Sequence, residues 1–137
     1  MKVLGRPLKD YLKASYMFFI AVFVITMMQP LLSISGMQKS ITSAGGTLIS
    51  ILTVVVMGFA GWTFVRKNKF DIKQAAFAGM LCFLAAAWLL VLMLWQMKLS
   101  LYVSILNFII LFAINMIIYA VVAAFGGWLA TKAKKRK

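Results

Sequence analysis

Histidine and glutamate are missing from this chain, and its only carboxylate side chains are those of Asp10 and Asp71. General acid–base catalysis near neutral pH needs a positioned group of suitable pKa, usually a histidine or a buried carboxylate. Neither aspartate falls inside a long apolar run, so no catalytic residue is assigned and no enzyme activity is expected. A metal centre fares no better. One cysteine, Cys82, and two distant aspartates cannot supply three or four ligands. Gly45-Gly46 and Gly126-Gly127 lack the spacing of a phosphate-binding loop, so no cofactor is implied. Proton relays at membrane depth use Asp, Glu or His, which argues against proton-coupled transport. A single cysteine also excludes an intramolecular disulfide and reads as a small packing residue.

What the chain has instead is apolar length. Its hydrophobic content is 64% and its mean hydropathy +0.99, against roughly 45–50% apolar residues in soluble domains. A chain of 137 residues cannot hide that much apolar surface from water. The bilayer is the solvent. A hydrocarbon core of about 30 Å needs about 20 apolar residues in a helix. Four stretches qualify: residues 14–32, 46–65, 75–95 and 101–129. The expected fold is all-α, a polytopic integral membrane protein with four transmembrane helices in one compact bundle spanning 1–137.

The charges sort by side. Lys2, Arg6, Lys9 and Lys13 precede the first stretch; Arg66, Lys67, Lys69 and Lys73 lie between the second and third. Lys132, Lys134, Lys135, Arg136 and Lys137 follow the fourth, and only Lys39 and Lys98 fall on the opposite side. The positive-inside rule then puts both termini and the middle loop in the cytoplasm, most simply at the cytoplasmic membrane. An even number of spans requires the same. The net charge of +13 does not point to nucleic acid, because the cations edge apolar spans rather than alternate with surface aromatics. Anionic lipid head groups are their expected partners, with Arg66, Lys67, Lys69 and the Lys132–Lys137 cluster as head-group or topology residues. Ser33-Ile34-Ser35 offers a small-x-small cleavage site, but the preceding apolar run exceeds a signal peptide's usual length, so the first stretch is expected to be retained.

Asp71-Ile72-Lys73-Gln74 has capping-box spacing, so Asp71 is expected to cap the third helix. Asp10 is expected to cap a lead-in, Asp10 to Lys13, to the first. Pro30 should kink or end the first helix. The loop from Ser33 to Gly45 is expected to hold a short interfacial helix near Met37–Ile41, and the turn at Gln96–Ser100 to make an antiparallel hairpin.

Helices in lipid associate through close packing and hydrogen bonds. Small residues recur at four-residue spacing: Gly46 and Ser50, Ala75 and Gly79, Ala78, Cys82 and Ala86, Ala120 and Ala124, Ala123 and Gly127, Gly126 and Ala130. The fourth stretch carries a polar face of Ser104, Asn107, Asn115 and Tyr119, and the first a strip of Thr26 and Gln29. These residues are expected to be interhelical contacts or, in the sharper reading, the lining of a pore.

In size and helix count the chain resembles the small multidrug resistance transporters, but their pattern places an acidic residue in the first helix and this one has none. The dual-topology fluoride channels are similar in size yet lack its charge bias. The Lys132–Lys137 tail is similar to the cationic tails of holins. Three functions remain: an accessory or assembly subunit working with other membrane subunits, a self-associating pore, or an anionic-lipid-binding protein. The first is preferred.

Overall fold

The computed structural model describes residues 2–34, 44–96, 98 and 100–135. A short hairpin, β1 (Lys2–Val3) paired antiparallel with β2 (Arg6–Pro7), leads into five helices: α1 (Leu8–Ile34), α2 (Ala44–Arg66), α3 (Ile72–Phe83), α4 (Trp88–Gln96) and α5 (Leu101–Lys135). α1, α2 and α5 are each long and apolar enough to cross a membrane, over Leu8–Met28, Gly46–Arg66 and Leu101–Lys134. The fold is helical and of the membrane-spanning class.

The third apolar stretch departs from expectation, because no continuous helix covers 75–95. After Phe83 the backbone tightens: the N–H groups of Leu84, Ala85 and Ala86 donate to Leu81, Cys82 and Phe83, three residues back rather than four. This is a 3₁₀ turn, and α4 restarts at Trp88. Neither Gly nor Pro stands at the break. It falls one turn beyond the close approach of Gly79 to Ala123 and Tyr119 of α5, where the Phe83 ring lies edge-on to Phe112 and Tyr119 with centroids 5.1 Å from each.

Two further expectations are corrected. α1 begins at Leu8 because the hairpin runs straight into it through Pro7, whose fixed φ suits a helix entry. Asp10 therefore sits in the first helical turn and is not its cap, although a carboxylate there still complements the helix dipole. Pro30 does not end α1, which runs on to Ile34. The Met37–Ile41 segment lies outside the described residues.

α2 and α5 meet backbone to backbone. A Cβ placed on Gly61 would fall on the carbonyl of Ala123, and one on Gly126 on the carbonyl of Gly58. Beside this seam, a Cβ on Gly79 of α3 would lie 2.5 Å from that of Ala123 and 2.9 Å from the Tyr119 carbonyl oxygen. Ala75, Ala78, Cys82, Ala123 and Ala130 are fully or almost fully buried here. Ser15 of α1 donates to the Ala78 carbonyl at 3.3 Å, and the Cys82 thiol points back at the Ser15 carbonyl. Both interhelical bonds are at residues that the sequence does not single out as polar contacts.

At the end bearing both termini, the hairpin closes the packing. Leu4 and Gly5 turn with positive φ, 48° and 82°, as a two-residue primed turn requires. The Tyr11 hydroxyl donates to Val3 at 2.9 Å, and the Gln74 amide donates to Leu4 at 2.9 Å. Arg6 donates to the Lys69 carbonyl at 2.9 Å, and its guanidinium lies 5.0 Å from the Phe70 ring centroid. Tyr11 in turn packs on Phe70 and Phe77, each at 5.1 Å. The N-terminus is thus tied to the α2–α3 loop.

Candidate functional site

A cavity of about 360 Å³ lies among α1, α2, the α3–α4 break and α5. Thr26 contributes from α1; Ser50 and Thr53 from α2; Phe83, Ala86 and Leu90 from either side of the break; Asn115 and Tyr119 from α5. Thr26 and Thr53 are buried, whereas Ser50, Val54 and Ile118 at its edge are exposed. Its mouth therefore opens on the molecule's surface between α2 and α5.

Four of its polar groups share one habit, each donating back into its own helix: Thr26 to Phe23 at 3.0 Å, Ser50 to Gly46 at 3.0 Å, Thr53 to Ile49 at 2.8 Å, and the Asn115 amide to Leu111 at 2.8 Å. Ser and Thr commonly satisfy themselves this way in apolar helices. The consequence is electronic. With hydroxyl protons turned backward, the Thr26, Ser50 and Thr53 oxygens keep lone pairs to offer, and the Asn115 amide keeps its carbonyl. The site thus offers several acceptors, beside the Tyr119 hydroxyl and the second N–H of the Asn115 amide as donors.

The sequence-derived residues divide. Thr26, Asn115 and Tyr119 come from two helices to one cavity. Ser104 lines a different hollow between α4 and α5, of about 440 Å³, with Trp95, Lys98 and Phe108. Asn107 is half-buried and lines neither. The Gln29 and Lys135 side chains, and Arg136 and Lys137 entirely, lie outside the described residues. Sequence reading missed Thr53 in this cavity and took Ser50 only as a small packing residue. Their i, i+3 spacing on one helix face was the available signal.

Asp71 is the N-cap of α3 in extended backbone, and Gln74 reaches back to accept its N–H at 3.1 Å. Arg66 stacks its guanidinium 5.1 Å from the Trp62 ring, and the Lys132 ammonium lies 4.1 Å from that of Trp128. Lys67, Lys69 and Lys134 are exposed. Arg6 and Lys13 share with Lys67 a hollow of about 480 Å³ near the hairpin.

No known protein family, curated protein or solved structure matches this chain. Its function has to be read from its own chemistry.

Proposed function

We propose that the chain is a non-enzymatic, four-span integral membrane protein that serves as an accessory or assembly subunit, receiving a helix of another membrane subunit at its acceptor-lined cavity. In this reading both termini are cytoplasmic, and α3 with α4 makes the third crossing. Residues 72–96 reach about 37 Å at 1.5 Å per residue, enough for a hydrocarbon core. Non-helical backbone at that depth is tolerated where protein buries it or a cavity borders it. Ala85 and Ala86 are buried, and Ala86 borders the cavity.

One observation carries the proposal: a hollow within the apolar part of the molecule, open between α2 and α5, to which Thr26, Ser50, Thr53 and Asn115 bring oxygens that retain accepting capacity. A partner helix bearing Ser, Thr, Asn or Trp at small-residue spacing would complete it. The small-residue seams themselves are already consumed by α2, α3 and α5 inside the chain, so docking falls to the cavity and not to those seams.

Native mass spectrometry after mild-detergent extraction from the source membrane tests this. A complex with other chains is expected, and Asn115→Leu should weaken it by about threefold, the worth of an average interhelical hydrogen bond of about 0.6 kcal/mol. A symmetric assembly of this chain alone would overturn the accessory role in favour of a pore. Unchanged co-purification of Asn115→Leu would move the docking surface elsewhere.

A further inference from the structure

The positive-inside rule accounts for the side on which the cations lie, but not for their gathering around one hollow at the hairpin end. Three cations border it from three segments that converge only on folding: Arg6 from the hairpin, Lys13 from α1 and Lys67 from the loop after α2. One carboxylate, Asp10, borders it too, leaving two positive charges in excess. Below the cations the wall becomes apolar, with Met17 and Phe18 one turn further along α1. Phe18 packs on Phe59 of α2, and Met17 and Phe59 are largely exposed. A charged cup thus continues into an apolar groove between α1 and α2.

We infer that this hollow is a binding site for an anionic phospholipid, its phosphodiester held by Arg6, Lys13 and Lys67 and an acyl chain laid along Met17 and Phe18. The charge excess fits a head group with net negative charge and disfavours one that carries its own quaternary ammonium. Basic pockets between transmembrane helices recur as sites of this kind. Arg6 is already held by the Lys69 carbonyl and the Phe70 ring, so little side-chain freedom is lost when an anion arrives. Asp10 is placed to accept a hydroxyl of a glycerol head group. The apolar wall selects a lipid over free phosphate, which would gain nothing from Met17 and Phe18.

The test is native mass spectrometry of the full chain, extracted in mild detergent and supplied with equal amounts of phosphatidylglycerol and phosphatidylcholine. One retained phosphatidylglycerol is expected in preference to phosphatidylcholine. Lys13→Gln with Lys67→Gln should lower that occupancy by about 30-fold, the equivalent of about 1 kcal/mol per lysine. Met17→Trp, which crowds the groove and leaves every charge, should lower it as well. Lys98→Gln, which alters an exposed cation at the separate hollow between α4 and α5, should leave it unchanged. Equal retention of both lipids overturns the site, as does full retention in either pocket variant or equal loss in the Lys98 variant. Displacement of the lipid by an equal concentration of inorganic phosphate would make it a site for the free anion instead.

Discussion

The end of the molecule that carries the termini and the end that carries the cavity are built from the same apolar stretches, but different contacts hold them. At the first end, glycine and alanine bring α2, α3 and α5 together through Gly58, Gly61, Gly79, Ala123 and Gly126, and aromatic rings cluster beneath the hairpin. Polar groups there bridge separate elements: Ser15 joins α1 to α3, Gln74 joins α3 to the hairpin, and Arg6 joins the hairpin to the α2–α3 loop. At the other end the side chains are larger, α3 breaks, and Thr26, Ser50, Thr53 and Asn115 at the cavity donate within their own helices. The difference is one of completeness. The seam is satisfied by this chain, and the cavity is left with unspent acceptors.

Substitutions that add bulk should separate the two ends most clearly. Gly61→Leu would drive a side chain into the Ala123 carbonyl and force α2 from α5, a loss of about 3 kcal/mol or more. Unfolding in graded denaturing detergent measures it, and labelling of the buried Cys82 by a small maleimide should accelerate in parallel. Slow labelling in that variant would mean the seam is not what shields the thiol. Tyr11→Phe, which removes the hydroxyl bond to Val3, should cost about 1 kcal/mol. It should also speed amide exchange across residues 2–7, and unchanged exchange there would show that the hairpin is held by other contacts.

At the cavity the sign should reverse. Thr53→Leu adds apolar volume where there is room, and the hydroxyl it removes serves only its own helix. Stability in the same assay should hold or rise by up to about 1 kcal/mol, whereas a loss as large as that of Gly61→Leu would erase the distinction between the ends. The smallest effect belongs to Gly58→Ala. Although Gly58 stands in the seam, its own Cβ direction is open, because its part is to offer a carbonyl face to Gly126. The change should stay within about 0.5 kcal/mol, while Gly126→Ala, the other half of the same contact, should cost about 2 kcal/mol.

Much of the packed end was legible in sequence. Long apolar runs mark α1, α2 and α5, since apolar length is a one-dimensional property. Small-residue spacing picked out Ala75, Gly79, Ala123, Gly126 and Gly127, yet could not say which faces meet, and the Gly46–Ser50 pair went to the cavity instead. The break after Phe83 was not legible, because Leu84–Ala87 contains only good helix formers and neither Gly nor Pro marks it. Asn115 was expected to bond across helices or line a pore, whereas its amide donates within α5, and that bond depends on a rotamer that no spacing encodes. The hairpin escaped notice because two-residue strands leave no periodicity, and Leu4 is an unexpected occupant of a left-handed turn position.

That hairpin also has a place in time. Leu4 leaves the ribosome 70 residues ahead of the Gln74 that will hold it, an interval of roughly 4–14 s at ordinary rates of synthesis. During that interval α1 and α2 have emerged, and the N-terminus has nothing to clasp. The clasp cannot steer the first helix into the membrane. On the proposed topology it can only seal an orientation set by the lysines and arginines, and closing it marks the moment at which the first three apolar stretches have begun to fold as one piece.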